Sequence, residues 1–219
     1  MTMPADESRD AGADRPEALL LVGPTGAGKT PLGEALQARG LWGRACAHFD
    51  FGRTLRACVR GEAPVEVSAR QCALVQRMLE TDALLADEDF PLAERLVRAF
   101  LKARGTNADT LIVLNGLPRH GGQAARMARL VRVLAVVQLR CTEPTVLARV
   151  RRDAGGDRRG RSDDAPARLR RKLDVYRERT EPLLDYYRDR GVGVIPLDVG
   201  TETTAEAMRD ALERRRLPC

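Results

Sequence analysis

The octapeptide Gly23-Pro-Thr-Gly-Ala-Gly-Lys-Thr30 follows directly on the apolar run Ala18-Leu-Leu-Leu-Val22, and this junction constrains the fold more tightly than any other stretch of the chain. Glycines at 23, 26 and 28 let successive backbone N–H groups turn inward around phosphate oxygens. A helix starting beyond them adds the positive end of its dipole. In such a loop the lysine, Lys29, reaches the β- and γ-phosphates, and the hydroxyl of Thr30 reaches Mg²⁺. A buried strand, a phosphate-wrapping loop and a helix are therefore predicted, with Gly23, Gly26, Ala27, Gly28, Lys29 and Thr30 around a nucleoside triphosphate. Composition sharpens the reading: of 37 basic residues only Lys29, Lys102 and Lys172 are lysines, so a lysine at this position stands against a heavy arginine bias. Loop and context predict nucleotide binding but leave the reaction open.

Four further short apolar runs read as strands: 45–49, 110–114, 134–139 and 192–197. Helical sequence separates each from the next. Nearly continuous apolar strands alternating with amphipathic helices predict an α/β fold, a five-stranded parallel sheet with helices on both faces and ligands bound beyond the carboxyl ends of the strands. That arrangement puts residues 23–30, 50–56 and 115–123 on one rim. The connection from Gly52 to Asn107 is too long for a simple crossover and carries helical patterns near 67–81 and 88–103, the second with the stripe Leu92, Leu96, Val97 and Phe100. It reads as an inserted helical subdomain. From Ala165 to about Arg190, Leu169, Leu173, Tyr176, Thr180, Leu183 and Tyr187 recur at steps of four and three, which predicts one long core-facing helix with Pro166 in its first turn.

At 219 residues, 43% of them hydrophobic, the chain suits one core with insertions better than two independent domains. No apolar run approaches membrane-spanning length, and residues 1–16 are polar and lack the apolar core of a signal peptide, which predicts a disordered lead-in. Five scattered cysteines without a Cys-x-x-Cys pair point to reduced thiols and a cytoplasmic protein. The net charge of +6 does not describe a nucleic-acid-binding face. Between Arg149 and Lys172 there are ten basic and four acidic residues, while the remaining 27 basic and 27 acidic residues cancel. A basic, glycine-bearing loop of that kind suits a polyphosphate as well as it suits a solvated surface. Small-molecule nucleotides are the expected partners, with no nucleic acid, no membrane and a monomeric chain.

With these segments placed in order, the sequence after residue 17 resembles the adenylate kinase and nucleoside monophosphate kinase family along nearly its whole length. His48-Phe-Asp-Phe-Gly-Arg-Thr-Leu-Arg56 is similar to the family's His-Ile-Ser-Thr-Gly-Asp-x-Leu-Arg, and Leu84-Leu-Ala-Asp-Glu88 to Leu-Val-x-Asp-Glu. Asn115-Gly-Leu-Pro-Arg119 resembles Asp-Gly-Phe-Pro-Arg, with Gln123 at the family's glutamine, and Gly160-Arg-Ser-Asp-Asp164 resembles the lid motif Gly-Arg-x-Asp-Asp. The resemblance implies a P-loop kinase core (17–51, 108–150 and 165–219), a nucleoside monophosphate-binding insertion (52–107) and a short zinc-free lid (151–164). It implies that Arg56 and Arg119 bind the acceptor's phosphate, that Gln123 reads its base, and that Phe51, Gly52 and Gly116 line the acceptor site. Arg149 and Gly200 are implied on the donor nucleotide, with Arg161, Arg152 and Lys172 around the transferring phosphoryl group.

The departures from the family pattern are specific. Arg53 and Asn115 stand where the family has aspartates that help hold hydrated Mg²⁺, and Asp50 is the candidate replacement beside Thr30. Helix capping is the competing role for Asp50. Lys172 replaces the last lid-side arginine, Asp153 occupies the second position of an Arg-x-x-x-Arg pair with Arg152 next to it, and Phe51 replaces the threonine near the acceptor base. The expected activity is transfer of the γ-phosphoryl group of Mg-ATP to a nucleoside monophosphate, a phosphotransferase reaction. Two alternatives stay open: a nucleotide-binding protein with lost transfer, and a kinase for another small molecule in which Asp50 touches a substrate hydroxyl.

Overall fold

The computed structural model describes residues 15–104, 109–157 and 165–215. The five apolar runs form β1 (Glu17–Val22), β2 (Cys46–Asp50), β3 (Leu111–Asn115), β4 (Arg132–Arg140) and β5 (Gly193–Asp198). All pair in parallel, in the order β2-β3-β1-β4-β5, so the strand that feeds the glycine loop lies at the centre. Alternation along β1 divides the core. Leu19 and Leu21 face one layer with Leu32, Leu36, Met208 and Leu212, while Ala18, Leu20 and Val22 face the other with Phe49, Leu96 and Leu183. Covering on both faces explains why the strand is apolar throughout rather than at every second residue.

Helices α1 (Lys29–Arg39) and α9 (Ala205–Glu213) supply the first layer. The second is built from the connection between β2 and β3, which holds α2 (Phe51–Val59), α3 (Ala69–Thr81) and α4 (Phe90–Ala103). Ser68 and Gln71 form a capping box that starts α3, and Pro91 lies in the first turn of α4. The predicted stripe of α4 is borne out: Leu92, Leu96 and Val97 are buried, and Phe100 lies 5.2 Å from the Phe49 ring. Full burial of each such side chain is worth about 1.5–3 kcal/mol, enough to fix the helix against the sheet. Val75 and Met78 of α3 belong to the same apolar cluster as β2 and β3, so the inserted helices share the core of the sheet.

Helices α5 (Gly121–Met127) and α6 (Glu143–Arg151) flank β4. One expectation is corrected here. The stretch predicted as a single long helix is α7 (Pro166–Val175), a π-turn at Tyr176–Thr180, and α8 (Leu183–Arg188). Pro182 has no N–H to give and its ring would collide with the carbonyl one turn back; the chain widens instead, and Glu181 donates to the Tyr176 carbonyl at 2.8 Å. The apolar stripe survives the interruption, because Leu169, Leu173, Tyr176, Thr180, Leu183 and Tyr187 are all buried. Cys46, Cys58, Cys72 and Cys141 are free thiols, and no helix among the described residues is long and apolar enough to cross a membrane.

Candidate active site at the carboxyl edge of the sheet

Strand register brings the site together. Leu21 pairs with Asn115 and Asn115 with Asp50, so the ends of β1, β3 and β2 lie abreast where the glycine loop begins. Gly28 takes φ +96° immediately before α1, a left-handed conformation that glycine adopts without the clash a Cβ would bring. The Lys29 ammonium reaches back over the loop and donates to the carbonyls of Gly23 and Pro24, each at 2.7 Å.

Asp50 caps a helix and also contacts Thr30. Its Oδ1 accepts from the Arg53 N–H at 2.8 Å and caps α2, while its Oδ2 accepts from Thr30 Oγ1 at 2.6 Å and from Asn115 Nδ2 at 3.0 Å. Asn115 also donates to Thr30 Oγ1 at 3.0 Å and is only 4% exposed. The carboxylate of this network stands on β2, and the amide on β3 is its matched partner: an aspartate at 115 would place two like charges about 3 Å apart. Arg53 pairs with Glu34 of α1 and does not line the neighbouring cavity.

A cavity of about 220 Å³ opens beside this network and runs toward α3. Gly23, Gly26, Gly28, Lys29, Thr30 and Asp50 line one end. Phe51, Gly52, Arg56, Gly116, Arg119 and Gln123 line the other, with apolar walls from Leu55, Met78, Leu84 and Leu85. Arg119 sits in the turn after β3; its Nε donates to Thr180 Oγ1 at 3.2 Å, no carboxylate lies against it among the described residues, and desolvation pulls its pKa below the ordinary arginine value. Gln123 is fully buried, and its amide joins two segments: Nε2 donates to the Leu85 carbonyl and Oε1 accepts from the Arg119 N–H, both at 2.8 Å. In this structure the side chain holds the Arg119 turn against the Leu84–Leu85 wall.

Other expected site residues are placed differently. Arg149 is 3% exposed and donates to the backbone carbonyls of Gly26, Gly200, Thr201 and Thr203, stapling the glycine loop to the loop after β5 instead of opening onto the cavity. Gly200 takes part through its carbonyl in that staple. Arg152 pairs with Glu202 on the surface, away from the cavity lining. Arg161, with the rest of the Gly160–Asp164 motif, lies outside the described residues. Lys172 does line the cavity, and it is accompanied by a residue that sequence reasoning missed, Asp82 at the end of α3. Two cations one helical turn apart on α7, Arg168 and Lys172, were visible in the sequence; their acidic partner 86 and 90 positions away was not.

Comparison with known proteins bears on what this edge does. Over 179 residues the chain is 34% identical to the adenylate kinase of Prochlorococcus marinus, covering 80% of this chain and 86% of that one. It is 33% identical over 182 residues to the adenylate kinase of Thermus thermophilus, again with 80% and 86% coverage. The chain belongs to the adenylate kinase family. No family model matches it. A solved gluconokinase from Sinorhizobium meliloti shares the fold, with a TM-score of 0.50 at 18% identity over 90% of each chain. This adenylate kinase relative is thus a P-loop phosphotransferase whose glycine loop, two arginines and an apolar wall meet in one cavity.

Proposed function

We propose that the protein moves the γ-phosphoryl group of Mg-ATP to a nucleoside monophosphate. The observation that carries this reading is Arg119. An arginine cannot shed its proton, so a desolvated guanidinium with no carboxylate against it among the described residues calls for an anion, and the cavity it lines is the one into which the phosphate loop opens. Arg56 on the same wall supplies a second fork, and the Phe51, Leu55, Met78 and Leu84 surface suits the face of a base. An acceptor carrying both a phosphate and an apolar face fits such a cavity.

The oxygen-rich cluster of Thr30 and Asp50 fits a hard divalent cation that keeps most of its waters. Thr30 gives its hydroxyl proton to Asp50, which leaves a lone pair of Oγ1 toward the loop. Magnesium held there by Thr30 and Asp50 would supply positive charge against the phosphate oxygens. The chain's own residues do the rest. Loop amides and Lys29 hold the triphosphate, Arg119 and Arg56 hold the acceptor phosphate, and Lys172 adds positive charge where equatorial oxygens spread theirs in the transition state. Catalysis by such a site is positioning and charge stabilisation, with no covalent intermediate on the protein.

A second reading, a kinase for another small molecule in which Asp50 contacts a substrate hydroxyl, stays open: Asp50 lines the cavity, and the gluconokinase that shares the fold fits such a substrate. The free thiols fit a cytoplasmic setting. A coupled assay of ADP formation from Mg-ATP with each nucleoside monophosphate in turn tests the proposal. Turnover with at least one acceptor, suppressed by chelation of magnesium, is expected; ATP binding without turnover for any acceptor would instead support a binding protein.

A further inference from the structure

Helix α3 ends on Asp82, a non-glycine residue at φ +59°, in the left-handed region that an L-residue occupies only at a cost. Its carboxylate is 7% exposed and is gripped from α7, the helix that follows the lid segment. Arg168 takes it in a two-pronged contact, Nε to Oδ2 and Nη2 to Oδ1, both 2.9 Å, and the same Nη2 donates to the carbonyls of Leu79 and Glu80 at 3.0 Å, closing the open end of α3. One turn further along α7, Lys172 Nζ lies 3.3 Å from Asp82 Oδ1. Asp82 and Lys172 both line the cavity, and the Lys172 side chain is 14% exposed.

We propose that Asp82 is a positioning residue for phosphoryl transfer: it holds the Lys172 ammonium at the cavity wall and, through Arg168, makes the acceptor-side helix α3 and the post-lid helix α7 move as one body. This deepens the proposed nucleoside monophosphate kinase reading and rests on it. A lysine ammonium is a point charge on a flexible stem with none of the directional preference of a guanidinium fork. Where lysine serves in place of an arginine, a second group must fix its position, and a buried carboxylate on a rigid helix end does so. Closure around an acceptor then brings the charge to the phosphoryl group along with the wall, and the left-handed turn is retained although glycine would fit it more cheaply.

The test uses the full chain and three proteins: wild type, Asp82→Gly, which suits the turn and deletes the carboxylate, and Asp82→Asn, which keeps the shape and deletes the charge. Amine-reactive labelling followed by mass spectrometry reads Lys172 directly, because the chain has only two other lysines, Lys29 and Lys102. Both variants are expected to raise the labelling rate of Lys172 at least fivefold with Lys102 unchanged. They should also lower kcat at least tenfold while the acceptor KM and the affinity for ATP move less than threefold, and Asp82→Glu should recover part of kcat. Unchanged Lys172 labelling overturns the proposal. Exposed Lys172 with unaltered kcat overturns its role in transfer, as does a loss confined to KM. A wild-type protein that phosphorylates no monophosphate overturns the functional reading itself and the transfer role with it, an outcome told apart by the wild-type assay alone.

Discussion

The glycine-loop end of the cavity and its far end beside α3 are built on opposite principles. At the first, Gly23 to Thr30 are contiguous in the chain, and the added partners, Asp50 and Asn115, arrive through strand register beside β1. At the second, three separate segments carrying Asp82, Arg119 with Gln123, and Lys172 with Thr180 meet through side-chain contacts across as many as 90 positions. Contiguous backbone dominates the first end, and long side chains from distant segments dominate the second. The first kind of site tolerates little change in backbone; the second tolerates change in backbone but little in charge balance.

The comparison breaks most visibly at Lys29. Lys29→Met is expected to lower kcat/KM by about 100-fold or more, the cost of removing one preorganised donor from developing charge, with a matching loss of ATP affinity by calorimetry. Arg119→Ala should leave ATP affinity within about twofold and raise the acceptor KM by roughly 10- to 100-fold, since a charge-assisted contact is worth about 1.5–3 kcal/mol. Because that substitution also removes a desolvated cation that no carboxylate faces among the described residues, the thermal midpoint should not fall. A loss of ATP affinity instead would move Arg119 to the other end of the cavity.

Smaller effects sharpen the contrast in backbone tolerance. A Cβ at Gly33 would lie 2.3 Å from His48 Nε2, so Gly33→Ala, normally favourable in a helix, is expected to cost about 1–3 kcal/mol in urea denaturation. Asn115→Asp replaces two donated hydrogen bonds by a second carboxylate beside Asp50; stability should drop by about 1–3 kcal/mol at pH 8 and recover in part at pH 5, where the pair takes up a proton. A fall that is independent of pH would show that charge is not the cause.

The smallest effect comes from His48, which is 8% exposed with no partner for Nε2 among the described residues. Desolvation holds its pKa below the usual 6.5, so on acidification the unfolded chain binds the proton first. The stability His48 contributes is complete above about pH 6.5 and declines as pH drops below that, levelling off only under the folded-state pKa. Thermal midpoints between pH 8 and pH 5 should show this slope, and His48→Gln should flatten it.

How far the sequence could be read differed in the same way between the two ends. The strands were legible because double-sided burial leaves an unbroken apolar run, and the phosphate loop because its glycines are required by local geometry. The helix predicted over 165–190 was legible as a stripe but not as a continuous rod, since Pro182 acts on a hydrogen-bond ladder that side-chain periodicity does not record. Gln123 and Arg149 were legible as positions of interest. Their contacts to the carbonyls of Leu85 and Gly200 were not, because a backbone carbonyl leaves no mark in the sequence.

The amino-acid sequence by itself determined the parallel α/β core, the nucleotide-phosphate loop and the cations available to it, because each depends on neighbours a few residues away. Only the tertiary structure decided which cations face the cavity, that Asp50 and Asn115 divide one network between them, and that Asp82 claims Arg168 and Lys172. Those outcomes depend on desolvation and on charges brought together from distant segments, energies that exist only once the chain has packed.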